Sequence, residues 1–114
     1  MIRIKKILVT TDLSPASYSA LEYASWLEKK EKASVTLLYC VDNLPTVAYH
    51  TVDLTFDKFR EEILTTERER MKVFSDPLKK MFSKAFKVVV IEGNAAQTIV
   101  EYAKNNGTDI IVMS

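Results

Sequence analysis

The residues Thr10, Thr11, Asp12, Ser14 and Pro15 lie within six positions and directly follow the apolar run Ile7-Leu8-Val9. The bulky run reads as a buried strand, the threonines and Asp12 end it, and Ser14-Pro15 opens a helix. If the sheet is parallel, this turn sits at the carboxyl edge of a strand, where open α/β sheets bind ligands. Three more side chains could do chemistry. Cys40 ends a second apolar run, His50 lies beside Tyr49 in an expected loop, and Ser114 follows a last apolar run. A strand-end cysteine is an inert small hydrophobe unless its pKa is lowered. With one histidine and no cysteine cluster, a zinc site is not expected. His50 reads as a loop residue, or as one bordering a ligand.

Several chemistries fail on spacing. A dinucleotide-binding turn needs G-x-G-x-x-G after the first strand so that the backbone can approach pyrophosphate. The only glycines here are Gly93 and Gly107. The P-loop pattern is absent. A phosphotransfer receiver wants paired acids after its first strand, and this chain has only Asp12 there. Ser–His–Asp hydrolysis would need the nucleophile elbow G-x-S-x-G, which is also missing.

The elements that must position these residues alternate. Residues 4–10 predict a strand. Ser14 predicts an N-cap whose hydroxyl accepts from the first turn, with Pro15 at N1. The helix runs to about Lys30 and buries Ala20, Leu21, Ala24 and Leu27, flanked by Tyr23 and by Trp26, read as packing. Residues 34–41 form a nearly continuous apolar strand, as expected when helices cover both faces. A loop from Asp42 to about Val52 carries Pro45. A long helix from about Asp53 turns Phe56, Phe59, Ile63, Met71 and Phe74 inward. Its charges, from Lys58 and Arg60 to Arg70 and Lys72, read as a solvated face with local ion pairs. Pro77 breaks it, and Ser75 or Asp76 caps a short successor through Phe82. Residues 86–92 form a third strand. Asn94 with Gln97 opens a helix in the manner of a capping box, burying Ala96, Ile99, Val100 and Ala103. Asn105-Asn106-Gly107 closes it, and residues 109–114 form a fourth strand.

The composition suits a soluble globular domain: 114 residues, 47% hydrophobic and 27% charged. With 16 basic and 15 acidic residues the net charge is +1. No field draws nucleic acid or a membrane surface to it. No run nears the roughly 20 apolar residues of a bilayer span. The first residues lack the apolar stretch of a signal peptide. A single cysteine fits a reducing cytosol, and a cytoplasmic location is expected. Residues 1–114 read as one domain. Because the apolar run Ile110 to Met113 finishes the chain with nothing after it to cover it, that domain is expected to be incomplete at its C-terminus.

The β-α-β-α-β-α-β order argues a parallel sheet with helices on both faces. If strand two lies beside one and three beside two, strand four takes the other side of strand one. The order is then 3-2-1-4, and the connection reverses between strands 1 and 4. Asp12 and Ser114 line the crevice at that switch point, with Cys40 at its border. Asp12 keeps two readings: a residue placed by turn chemistry and the helix dipole, or a carboxylate that accepts from a ribose hydroxyl or a base amine.

Five stretches carry a resemblance. They are Lys6 to Ser14, Ala20 to Ala24, Thr36 to Asp42, Glu92 to Ile99, and Asp109 to Met113. In this order and spacing the chain resembles the universal stress protein family throughout. The resemblance implies a three-layer open parallel α/β sheet, adenine nucleotide alpha hydrolase-like, of order 3-2-1-4 with the family's fifth strand missing. Family members are often dimeric, and some bind ATP or AMP. The resemblance places Thr10 and Asp12 at adenine and ribose, where the family often has proline in place of Thr10. Cys40 falls where a valine commonly lines the adenine pocket. Phosphates in ATP-binding members rest on a G-x2-G-x9-G-[ST] loop after strand four, whose first glycine position is Ser114 here. Glycines serve there because backbone must approach phosphate oxygens closely.

The candidate nucleotide contacts are therefore Thr10, Thr11, Asp12, Cys40, Val41, Met113 and Ser114. The expected function is a stress-response signalling module that binds ATP or AMP, with Mg2+ accompanying ATP, and that associates with itself or with other proteins. No efficient catalysis is expected, because no candidate base has a partner in the sequence. Two alternatives stay open: an interaction or dimerisation module of the same fold that binds no nucleotide, and a low-turnover ATPase or autophosphorylating protein.

Overall fold

Ile7, Leu8 and Val9 are all shielded from water, and so are Leu37 and Leu38. Adjacent residues of a strand point to opposite faces, so both strands must be covered on two sides. The computed structural model describes residues 3–42 and 54–114. In chain order they form β1 (Lys6–Thr11), α1 (Tyr18–Glu31), β2 (Ser34–Val41), α2 (Leu54–Ser75), β3 (Lys87–Glu92), α3 (Ala95–Asn105) and β4 (Ile110–Val112). Short 3-10 turns at Pro15–Ser17 and Asp76–Met81 precede α1 and follow α2. The strands make one parallel sheet of order β3-β2-β1-β4, the order expected from the sequence. Val9 lies opposite Leu37 on one side and Val112 on the other. The expectations for Pro45, Tyr49 and His50 lie outside the described residues, as does that for the Phe56 side chain.

One face of the sheet presents Ile7, Val9, Val35, Leu37 and Val112 to Ala20, Leu21, Ala24 and Leu27 of α1 and to Met71 of α2. The other presents Leu8 and Leu38 to Ile99 of α3, with Val89, Ile91 and Tyr102 around them. The arrangement is three-layered, with α1 and α2 on one side and α3 on the other.

The chain stops and turns by identifiable devices. Lys32 ends α1 at φ 54°, a left-handed cap of the kind glycine usually fills, and its N–H donates to the Glu28 carbonyl. Pro77 ends α2 as expected, and a 3-10 turn follows. Asn94 caps α3 by accepting from the Gln97 N–H at 3.1 Å. Gln97 does not reach back to complete a box; its amide donates to Glu101 instead. Gly107, at φ 64°, closes α3, and Thr108 N–H returns to the Ala103 carbonyl in a Schellman arrangement. Asp109 then accepts from the backbone N–H groups of Lys5 and Lys6 at 2.8 and 3.0 Å, which fixes β4 beside β1.

Several side chains depart from expectation. Phe59, Ala96 and Val100 are exposed, because α2 and α3 turn Leu64 and Ile99 to the sheet instead. Trp26 is half exposed rather than packed; it leans on Tyr23 and lies under the Lys30 ammonium. Arg60 and Glu67 leave the solvated face and turn to the sheet, Arg60 to Glu92 and Glu67 to the Tyr39 hydroxyl.

Candidate functional site

At the carboxyl ends of β1 and β2, beside the start of α3, lies a cleft of about 210 Å³. Leu38, Cys40, Ile99 and Met113 form its apolar part, Thr10, Asp12 and Ser114 its polar part, and Thr11 also borders it. Its place is the switch point of the sheet, since the chain leaves β1 toward β2 on one side while β4 returns on the other. Ala95, the first residue of α3, also borders it, so the positive end of that helix faces the cleft. Larger hollows of about 400, 510 and 350 Å³ lie along α2, the second of them bordered by Leu13 on the α1 side of the same turn.

Alternation along the strands decides which side chains reach the cleft. Leu8 belongs to the α3 side, so Thr10, two residues on, shares it, and Cys40 follows Leu38 in the same way. Thr11 faces α1. Its hydroxyl is buried, 2.8 Å from the Ser17 hydroxyl, and accepts from the Leu13 N–H at 2.9 Å. Of the seven residues named from the sequence, six border the cleft. Val41 does not join them. Its side chain is buried on the opposite face against Leu64, because it sits one residue out of phase with Cys40. Its backbone carbonyl accepts from the Gly93 N–H and shapes the turn into α3.

Asp12 is exposed, and one of its oxygens is engaged by its own turn. Oδ1 accepts from the Ser14 hydroxyl and, at 2.9 Å, from the Ser14 N–H. The hydroxyl expected to cap the first helical turn goes to Asp12 instead. The turn is capped by backbone, with Ser17 N–H on the Ser14 carbonyl at 3.1 Å. Both Ser14 donors go to Oδ1, and neither reaches Oδ2. The Ser14 hydroxyl, followed by the Ser14 N–H, holds the Asp12 carboxyl below its ordinary value, so it is ionised at neutral pH. Leu13 between them stands at φ 68°. A branched residue there costs about 1 kcal/mol, and the Thr11 hydroxyl and the packing of Leu13 on the α1 core hold it in place. Neither Ser14's partner nor this backbone state was signalled by the sequence, although the Asp-x-Ser spacing permits the turn.

Cys40 is half-buried, and burial, with a smaller contribution from the Asp42 carboxylate, pushes its thiol up. It is protonated at neutral pH and acts as an apolar wall. Gly93 makes the neighbouring turn at φ 150°, and a Cβ there would meet the Thr98 hydroxyl at 2.5 Å. Among the described residues no cluster of His, Cys, Asp or Glu could hold a metal ion, and no helix is long and apolar enough to cross a membrane.

A model of the universal stress protein family matches residues 3–114. A search of curated proteins matched none. Among solved structures, the fold is similar to universal stress protein UspA from Lactobacillus plantarum, with 27% identity and a TM-score of 0.74. That match covers 99% of this chain and 78% of the other. A universal stress family protein from Burkholderia pseudomallei is 26% identical with a TM-score of 0.56, over 97% of this chain and 81% of its own. A universal stress protein solved in complex with cAMP shares the fold at a TM-score of 0.70 and 14% identity, over 96% of this chain and 72% of its own.

Proposed function

The chain belongs to the universal stress protein family, and from that premise we propose that its cleft binds an adenine nucleotide, ATP or AMP, as the ligand of a stress-response signalling module. The observation that carries this reading is the ionised Asp12 at the switch-point cleft, with Oδ2 clear of the Ser14 donors and an apolar wall lining the same cleft. A carboxylate oxygen accepts from a sugar hydroxyl or a base amine. Leu38, Cys40, Ile99 and Met113 offer the apolar surface a flat base needs. A universal stress protein of the same fold has been solved with cAMP, which supports the fold as a carrier of such ligands.

The proposed role is binding rather than turnover. A carboxylate held below its ordinary pKa is a weak general base, and a protonated Cys40 is a weak nucleophile. Mg2+ would accompany ATP through its phosphates. A cytoplasmic location and association with a second copy of the chain complete the reading, both resting on the family.

Titration calorimetry with ATP and with AMP, with and without Mg2+, tests it. Asp12→Ala is expected to weaken binding about tenfold, the worth of one hydrogen bond to a charged group. Unchanged affinity would remove Asp12 from the site. Absence of heat from the unaltered chain with either nucleotide would overturn the reading altogether. Sedimentation with and without ATP reads the self-association.

A further inference from the structure

A hollow of about 400 Å³ between the C-terminal half of α2 and the edge strand β3 has no part in the reading above. Its rim is cationic. Arg68 and Lys72 stand one turn apart on α2, and Lys79 approaches from the turn that follows Pro77. Like charges four apart on a helix repel. Elsewhere on α2, Arg70 pairs with Glu67 and Arg60 with Glu92. Among the described residues neither Arg68 nor Lys72 has an ion-pair partner. The one carboxylate at the rim, Asp76, is taken up by Lys79 at 3.2 Å. Lys72 gains from the negative end of α2, but Arg68, a turn earlier, gains less. The floor is apolar. Val88 and Val90 face α2 from β3, and Val88 is 39% exposed although it lies within a strand. No strand pairs with the outer side of β3 among the described residues, so the hollow is open along the sheet edge.

A guanidinium fork, an ammonium and a valine floor within one hollow of small-ligand size make a complementary set. We propose that this hollow is a binding site for a small organic anion: a phosphate or similar oxyanion joined to an apolar body. Arg68 takes the oxyanion through its planar fork, and Lys72 adds a point charge. The apolar body lies on Val88 and Val90. The site is independent of the switch-point cleft.

Phenyl phosphate is a suitable probe, followed by amide chemical shifts in the full chain. The expected result is saturable shifts at residues 68–79 and 88–90, weaker for inorganic phosphate and for benzyl alcohol, and fading as salt screens the rim. The double variant Arg68→Ala/Lys72→Ala is expected to bind about tenfold more weakly, since it loses the charge-assisted contacts. Both side chains are exposed, so the fold should survive; if it does not, the three-probe comparison on the unaltered chain still decides. Shifts confined to the region of Asp12 and Ser114, equal binding of inorganic phosphate, unchanged affinity in the double variant, or no shifts at all would each overturn the proposal.

Discussion

Glu28 is 1% exposed, yet it is a carboxylate on the buried side of the last turn of α1. Its oxygens accept from the Ser83 N–H at 3.0 Å, the Ser83 hydroxyl at 2.8 Å and the Lys84 N–H at 3.0 Å. It thereby fastens the segment that leads into β3, with help from Lys29 on the Met81 carbonyl and Lys84 on the Lys32 carbonyl. Glu28→Gln keeps the shape and removes the charge. The amide oxygen can serve the Ser83 hydroxyl and the Lys84 N–H, but the NH2 group then faces the Ser83 N–H, donor against donor. Three hydrogen bonds to a charged acceptor, at about 1.5 kcal/mol each, are exchanged for two neutral ones at about 1 kcal/mol each, so the loss is about 2–3 kcal/mol. Burial pushes the Glu28 carboxyl up, but the Ser83 and Lys84 donors outweigh it and hold the folded-state value below the ordinary one. The sign follows. This stabilisation is fully present above the unfolded value near pH ~4.3 and is lost as pH falls through the lower folded value. Urea unfolding followed by circular dichroism, at neutral pH and at several acid pH values, measures both effects. A Glu28→Gln variant as stable as the parent at neutral pH, or a difference that does not shrink in acid, would refute the argument.

Two further expectations concern the cap of α1 and the wall of the cleft. Lys32→Gly relieves a left-handed residue and keeps the carbonyl that Lys84 uses, so it should raise stability by about 0.5–1 kcal/mol, read as a higher melting temperature; a fall would refute the strain assignment. Alkylation of Cys40 should be slower at neutral pH than that of a free thiol and should rise only at higher pH, because burial and Asp42 oppose the thiolate. ATP should slow it further, and a rate indifferent to ATP would speak against the cleft as its seat.

The sheet is readable because its strands are apolar runs separated by helical periods, and the 3-2-1-4 order follows once strand two is set beside strand one and strand three beside strand two. Pro77, Asn94 and Gly107 act where their backbone chemistry says they should. What escaped is what depends on distant partners. Glu28 looks like any helix charge until the backbone of Ser83, 55 residues on, comes to meet it. Phe59 and Val100 carry the right hydrophobicity at the right spacing, but the sheet has width for only part of each helix, and Leu64 and Ile99 take the contact. At the site, the gathering of Thr10, Asp12, Cys40 and Ser114 at the switch point is legible from topology, whereas strand alternation, which turns the Val41 side chain to the other face, decides what a list of neighbouring residues does not.

The Ser14 hydroxyl and N–H bear on more than the charge of Asp12. A free aspartate samples several rotamers, and a ligand that needs one of them must freeze the others out, at about 0.5–1.5 kcal/mol for an immobilised side chain. Here two donors two residues downstream have already removed that freedom during folding. The contribution of Ser14 to any partner of Asp12 is therefore entropic: it does not itself line the cleft, yet it decides how much disorder remains to be lost when something enters.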